Sequence, residues 1–288
     1  MKNIDVTISI VSYNTKEYTT RCIESIKKYT RNVAYEIIVV DNASSDGTPS
    51  FLQKKFKDIK VIKNKKNNYY GGANNQAMQI AQGRYFLILN ADTYFTDNSI
   101  KKTVDYMDQN MNVGALEGLE IYENGKLVPN GSMHVGPLLD FYELSFIGKH
   151  FKDMKKINAF RLSTKDRKST FDIKVGCDAF LVVRTDLLKT IGGYDEKLLL
   201  YYTENDLCMR IIEKGYKIVH FGQAYVYHKM SVSANKLKWK KLDLYYRDLY
   251  FYYKKNGYVF FGTLLFLELH LEKMLLRLFR PHMFENKT

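Results

Sequence analysis

Cysteine is scarce in this chain. The 288 residues hold only Cys22, Cys177 and Cys208, with no C-x-x-C spacing, which excludes a zinc ribbon and a disulfide framework. Cys22 and Cys208 fall inside helical patterns and read as small buried apolar residues, in keeping with a reducing compartment. Long apolar runs are missing too: there is no stretch of about 20 uninterrupted apolar residues, so no membrane span is expected. No secretory leader is expected either, because Met1-Lys2-Asn3-Ile4-Asp5 runs straight into a strand pattern. Acidic residues are outnumbered, 31 Asp and Glu against 44 Lys and Arg, leaving a formal charge of +13. That excess favours an anionic partner: nucleic acid, a phosphate-bearing substrate or the anionic face of a membrane. Charge alone does not choose among them. The rest is ordinary for a folded chain, with 45% hydrophobic and 26% charged residues, and the length suits one large α/β domain with an appended piece.

Val6–Val11 reads as a buried strand, followed by a turn at Ser12-Tyr13-Asn14 and a helix over Glu17–Tyr29, where Cys22, Ile23 and Ile26 recur at helical spacing. Glu36–Val40 is a second apolar strand. It ends in the polar cluster Asp41-Asn42-Ala43-Ser44-Ser45-Asp46-Gly47-Thr48, whose side chains can cap a helix over Pro49–Phe56. Lys60–Lys63 is a third strand; a Gly71-Gly72 turn leads to a helix over Ala73–Ala81; Arg84–Leu89 is a fourth strand ending at Asn90-Ala91-Asp92. A helix over Lys101–Asn110 follows, then a loop-rich insertion over residues 120–170. Regularity returns with a strand over Lys174–Arg184, a Gly192-Gly193 turn, a helix from Glu204 to Lys214, a strand at Lys217–Val219, and helices rich in Tyr, Phe, Leu and Lys from about Trp239.

Strand, polar loop and helix, repeated three times, predict a parallel sheet, whose ligands bind outside the carboxyl ends of the strands. The polar clusters beginning at Tyr13, Asp41 and Asn90 all lie at such ends and converge on one crevice. A lone strand-end aspartate is weak evidence, since it can simply cap the next helix.

Taken together, the segments are specific. Val39-Val40-Asp41-Asn42-Ala43-Ser44-Ser45-Asp46-Gly47, followed downstream by Leu89-Asn90-Ala91-Asp92, resembles the inverting family 2 glycosyltransferases. Gly192-Gly193-Tyr194-Asp195-Glu196, Tyr202-Thr203-Glu204-Asn205-Asp206-Leu207-Cys208-Met209-Arg210 and Ala224-Tyr225-Val226-Tyr227-His228 then come in the order of the rhamnosyltransferase-like branch. The resemblance covers roughly residues 5–235. It implies the GT-A fold, a Rossmann-like α/β core with a mostly parallel sheet, over residues 1–235. Residues 1–115 would form a nucleotide-binding half and 116–235 an acceptor-side half, with a helical, basic and aromatic extension over 236–288. The implied activity is inverting, metal-dependent transfer of a sugar from a UDP- or dTDP-sugar to a lipid-linked saccharide acceptor, in cell-surface polysaccharide synthesis.

The same resemblance assigns roles. A nucleotide diphosphate leaves as an anion, and a divalent cation across its phosphates stabilises the developing charge. The family's D-x-D reads Asn90-Ala91-Asp92 here, so Asp92 is the expected ligand and Asn90 faces the ribose. Oxygen ligands suit Mg2+ or Mn2+, and His228, which would complete the site, shifts the preference toward Mn2+. The base that deprotonates the acceptor hydroxyl sits in the family's Glu-Asp-x-Asp-Leu-x-x-Arg motif. Counting back from Arg210 places Glu204 there, with Asp206 the alternative and Asn205 carrying no acid. Tyr13 and Asn14 would lie against the nucleotide, Asp41 would bond its ring or ribose, and Asn42 and Asn74 would add amide contacts. The Gly71-Gly72 turn would approach the diphosphate. Asp178 (where relatives often carry glycine), Tyr194 and Asp195 are the acceptor-side candidates.

The tail suits a membrane interface. Tyr258–Leu271 is apolar but broken by Glu268 and His270, and Lys273, Arg277 and Arg280 punctuate the apolar residues that follow, cations that anionic lipid would attract. The expected location is the inner, cytoplasmic face of the cell membrane. An ordinary packing helix or a contact with a second copy of the chain would use the same surface. Rival readings are a nucleic-acid-binding module, a nucleotidyltransferase and a catalytically impaired relative. The first does not account for acids clustered at strand ends, so no nucleic-acid partner is expected. The second lacks its basic, Gly-rich loop after the first strand, and the third rests on Asn90 and Asn205.

Overall fold

The computed structural model describes residues 4–133, 136–145, 148, 150–151, 153–230 and 240–279. Its framework grows from two apolar runs, Val6–Ser12 (β1) and Tyr35–Asp41 (β2), which pair in parallel with Ser12 opposite Asp41. Lys60–Lys63 (β3) joins the outer side of β2, and Tyr85–Asn90 (β4) the other side of β1, with Val11 opposite Asn90. Parallel pairing in this register brings the polar ends of β1, β2 and β4 to one edge. Between the strands run Lys16–Tyr29 (α1), Thr48–Lys55 (α2) and Tyr69–Gln79 (α3). α1 buries Ile23 and Ile26 against the sheet, each such side chain stabilising the packing by about 1.5–3 kcal/mol.

The sheet continues through Thr93–Tyr94 (β5), Val113–Tyr122 (β6), Thr170–Ile173 (β7), Phe180–Arg184 (β8) and Lys217–His228 (β9), in the order β3-β2-β1-β4-β8-β6-β9-β5, with β7 also on β9. β8 runs antiparallel to both β4 and β6, while β6 and β9 are parallel. The remaining helices are Ser99–Gln109 (α4), Leu138–Leu144 (α5), Met154–Phe160 (α6), Thr185–Thr190 (α7), Thr203–Glu213 (α8), Lys240–Lys255 (α9) and Val259–Phe279 (α10). Apolar cores fill both faces of the sheet, with α1 and α4 on one side and α3, α7 and α8 on the other.

Four sequence expectations are corrected. The helix placed at Ala73 begins at Tyr69, so Gly71 and Gly72 lie within it. A Cβ on Gly71 would come 3.0 Å from that of Tyr194, so this glycine lets α3 pack closely on Tyr194. Of the strand expected over Lys174–Arg184 only Phe180–Arg184 (β8) forms; β7 ends before it at Ile173, and the crossing between the two carries Cys177 and Asp178. The short strand at Lys217–Val219 extends through Gly222 to His228, with an irregularity in register beyond Gly118 of β6 that absorbs the extra residues. The insertion at 120–170 begins inside β6 and holds α5 and α6.

The helical tail forms a third apolar cluster. Tyr246, Leu249, Tyr252, Tyr253, Leu265 and Leu269 of α9 and α10 bury against Leu198 and Tyr202. No helix among the described residues is long and apolar enough to cross a membrane. α10 nevertheless presents Phe260, Leu267, Leu271, Leu278 and Phe279 to the outside, with Phe260 74% and Phe279 78% exposed. Lys273, expected to point outward, is buried and paired with Asp243 of α9. The start of the predicted extension, residues 236–239, and Arg280 lie outside the described residues, as does the side chain of Arg277.

Candidate active site

The aligned strand ends open onto a cavity of about 310 Å3. Val11 and Tyr13 come from the end of β1, Asn42 from β2, and Asn90, Ala91 and Asp92 from β4; Asn67, Tyr69 and Tyr70 come from the start of α3. The β7–β8 crossing supplies Cys177, Asp178 and Ala179. The start of α8 supplies Leu200, Tyr201, Thr203 and Glu204, and β9 and the residues after it supply His228 and Met230. Acids are prominent in this wall. Among the described lining residues there is no lysine or arginine, and His228 is the one group able to carry a positive charge near neutral pH.

At one end of the cavity stands a chain of three side chains. His228 Nε2 lies 3.2 Å from Asp92 Oδ1, and its Nδ1 lies 2.5 Å from Glu120 Oε2. β6 and β9 are registered so that Glu120 and His228 come from neighbouring strands, and Thr93, next to Asp92, pairs with His228 directly. Burial opposes the charge on His228, but the hydrogen bonds to Asp92 and Glu120 and their negative charges outweigh it, pushing the pKa up to about 9. Once deprotonated at Nε2, the ring keeps its Nδ1 proton on Glu120 and turns a lone pair toward Asp92, as a metal-ligating histidine held by an outer carboxylate does. Among the described residues no set of three or more His, Cys, Asp or Glu side chains is arranged to hold a cation alone. Asp92 and His228 fit one as a pair, provided the remaining ligands come from water and from a bound substrate.

Glu204 lines the same cavity from the first turn of α8, with Thr203 Oγ1 donating to its Oε2 at 3.0 Å. Burial, together with the charge of Asp248, raises its pKa above the ordinary carboxylate range. Asp178 is only 8% exposed, and neither of its carboxylate oxygens makes a hydrogen bond of acceptable geometry. Burial first, then the charge of Glu204, pushes its pKa well up. The Tyr70 hydroxyl lies 3.0 Å from Asn90 Oδ1 and 3.1 Å from the Asp178 carbonyl oxygen, so its one proton can go to either.

Of the residues singled out from sequence, Tyr13, Asn42, Asn90, Asp92, Asp178, Glu204 and His228 line this one cavity. Others are occupied elsewhere. Asn14, with φ of 53°, accepts the Ser45 N–H at 2.7 Å and ties two loops together. Asp41 is buried; its Oδ1 accepts the Ser44 N–H at 2.9 Å, its Oδ2 has no hydrogen-bond partner, and it does not line the cavity. Asn74 accepts from Ser9 Oγ at 2.7 Å and donates to the Tyr70 carbonyl at 3.2 Å, fastening α3 to β1. Tyr194 packs in the core beneath the cavity, clasped through its backbone by Asn75. Asp195 pairs with Lys255 at 2.8 Å. Asp206 pairs with Arg210 at 2.8 Å and with Lys255 at 2.5 Å and does not line the cavity. Asn14, Asp41, Asn74, Tyr194, Asp195 and Asp206 are thus removed from the lining by contacts the sequence does not display.

Glu120 and Tyr70 were not anticipated. An acid recurring within the apolar strand VGALEGLEIY was the available signal, since two glutamates there need buried partners. Glu117, the other one, bonds His220 Nδ1 at 2.7 Å and accepts the Cys177 N–H at 2.6 Å.

The model of the family described as glycosyl transferase family 2 matches residues 7–192. An uncharacterized glycosyltransferase of Methanocaldococcus jannaschii is 27% identical over 249 residues, covering 84% of this chain and 77% of that protein. An N-acetylglucosaminyl-diphospho-decaprenol L-rhamnosyltransferase of Mycobacterium tuberculosis is 22% identical over 264 residues, covering 84% of this chain and 81% of its own length. Among solved structures, a mannosyltransferase from Pyrobaculum calidifontis in complex with GDP-Man and Mn2+ superposes with a TM-score of 0.59 at 14% identity, covering 98% of this chain and 83% of the other. At that identity the likeness is one of fold, and the fold is the mixed α/β GT-A arrangement.

Proposed function

The chain belongs to glycosyl transferase family 2, and we propose that its cavity carries out inverting transfer of a sugar from a nucleotide diphosphosugar to a saccharide acceptor. One observation carries the reading. A cavity lined by Asp92, Asp178 and Glu204 offers a diphosphate no described lysine or arginine, so the charge of the leaving group calls for a bound cation, and Asp92 and His228 are the pair suited to hold one. A divalent ion bound there, Mn2+ or Mg2+, would offset the charge that develops on the leaving diphosphate. Asn90 offers its amide to the ribose, and Tyr13 and Asn42 border the nucleotide end. Glu204, from the start of α8, takes the proton from the attacking acceptor hydroxyl in this reading. Its raised pKa suits that role, because a base with a pKa nearer the working pH accepts a proton more readily than an ordinary carboxylate. Attack from the Glu204 side, with departure toward Asp92, gives inversion.

The acceptor in this reading is lipid-linked and the product belongs to a cell-surface polysaccharide, as the substrate named for the mycobacterial relative suggests. The exposed apolar face of α10 is the surface that would meet the membrane. The whole of residues 1–235 would form the catalytic unit, with 236–288 as its appended helices.

The test is a transfer and hydrolysis screen over UDP-glucose, UDP-N-acetylglucosamine, GDP-mannose and dTDP-rhamnose, with Mn2+, Mg2+ or EDTA, beside Glu204→Gln. Metal-dependent turnover of one donor, abolished by Glu204→Gln, is expected. Turnover that EDTA leaves intact, or that survives in Glu204→Gln, overturns the reading.

A further inference from the structure

The residues just ahead of the proposed base are held by the helical tail. Asp248 of α9 is fully buried, and one oxygen, Oδ2, accepts three consecutive backbone N–H groups: Leu199 at 3.1 Å, Leu200 at 2.8 Å and Tyr201 at 3.0 Å. Three converging N–H groups form an anion-binding concavity, here filled by a carboxylate from a distant part of the chain. The same segment is tied to the cavity wall, because the Leu199 carbonyl accepts the Tyr70 N–H at 3.2 Å. Leu200 and Tyr201 themselves line the cavity.

The next residue, Tyr202, has φ of 59° and ψ of 7° at the N-cap of α8. A left-handed backbone at a bulky residue is unfavourable and persists only where surrounding contacts enforce it. α9 and α5 supply those contacts. Tyr202 stacks on Tyr252 with centroids 5.1 Å apart, and its hydroxyl donates to Asp140 Oδ2 at 2.5 Å, an oxygen that Tyr253 also bonds. Two residues on lies Glu204. The direction in which α8 starts, and therefore where its first-turn carboxylate points, follows from the Asp248 clamp and the Tyr202 hinge.

We infer that Asp248 is a positioning residue for Glu204, so that the helical tail is a working part of the catalytic centre. The inference rests on the function proposed above. Asp248 acts in two ways: it fixes the loop that aims α8, and it places a negative charge near Glu204. Glu204 is faced by Thr203 of its own helix, Asp178 of the β7–β8 crossing, Tyr70 of α3, Tyr194 beneath the cavity, Cys208 of α8 and Asp248 of α9. Burial and the Asp248 charge raise its pKa, while hydrogen bonding by its own backbone and by Thr203 works against them.

Two substitutions separate the effects. Asp248→Asn keeps an acceptor for the three N–H groups and removes the charge, so the acid limb of the kcat profile, set by Glu204, should move to lower pH. Asp248→Ala also frees the loop, and kcat should fall about 10-fold or more while the donor KM changes less than about 3-fold. An acid limb that stays put in Asp248→Asn, together with an unchanged kcat in Asp248→Ala, overturns the inference. Hydrogen exchange on the unmodified chain needs no variant to fold. The Leu199, Leu200 and Tyr201 amides should be as slow as those inside α8, and fast exchange at all three overturns the clamp. Protected amides in a chain that turns over none of the four donors would instead count against the proposed function, and would remove the catalytic role of Asp248 with it.

Discussion

The Nε2 atom of His228 and the Oδ1 atom of Asp92 lie 3.2 Å apart although 136 residues separate them in the chain. Their approach follows from the sheet. β5, which begins immediately after Asp92, pairs antiparallel with the end of β9, and Thr93 stands opposite His228. Neither residue holds the geometry alone, because the far side of the imidazole is fixed by Glu120 from β6. The pair is too small to enclose an ion, so cation and substrate are expected to bind with mutual dependence.

Glu120→Gln tests the support beneath the pair. The amide keeps the shape but can no longer hold the Nδ1 proton as firmly, so the ring loses orientation and basicity. Outer partners of metal-ligating histidines typically contribute 10–100-fold in affinity or activity. The Mn2+ concentration giving half-maximal turnover should therefore rise about 10–100-fold in this variant, as read by metal titration at fixed donor.

Glu204 and Asp206 should separate by the type of damage. Glu204→Gln removes the proposed base and is expected to lower turnover by about 10²–10⁴-fold, leaving the melting temperature close to that of the parent. Asp206→Asn breaks the pairings with Arg210 and Lys255. Asp206 is buried while its partners are partly exposed, so the expected cost is about 1–3 kcal/mol of stability. Thermal melts run beside kinetic assays decide the assignment, and a stable Asp206→Asn with turnover as low as that of Glu204→Gln would reverse it.

The strand-end residues of the first four strands were legible because parallel βα units impose a repeating pattern, and Asn42, Asn90 and Asp92 stand where apolar runs stop. The supporting residues were hidden for definite reasons. Glu120 sits in an apolar strand, and its need for a partner is met 108 residues later by His228. The start of α3 was obscured because Gly71 and Gly72 read as a helix breaker, while the packing of Tyr194 against the Cβ-free face of Gly71 lets the helix continue. Lys273 looked like a lipid-facing cation until α9 placed Asp243 beside it. In each case a contact across the chain outweighed a local signal.

Asp178 should show a trade of stability for binding. Its unpartnered buried carboxylate opposes folding when charged, and Asp178→Asn should stabilise the unliganded chain by about 1–3 kcal/mol at neutral pH. Its pKa is raised in the folded state, so the penalty sets in as pH rises above the unfolded carboxylate value of about 3.9. The advantage of the asparagine variant should therefore be present at neutral pH and vanish as pH falls to about 4. Denaturant unfolding at the two pH values measures this. An advantage that grows toward acid pH would show the sign to be wrong.

The outer face of α10 makes the last prediction. Phe260, Leu267, Leu278 and Phe279 are exposed, so replacing Phe260 and Leu267 together with glutamate removes little buried area and should leave the melting temperature unchanged. On a membrane those side chains would enter the acyl boundary, where each buried CH2 contributes about 0.8 kcal/mol. The double variant should therefore lose sedimentation with anionic vesicles of phosphatidylglycerol and phosphatidylethanolamine. The net charge of +13 should make binding by the parent chain weaker in high salt. Equal sedimentation of parent and variant would mean that α10 does not meet the lipid; sedimentation of neither would mean that this face is covered by something other than membrane.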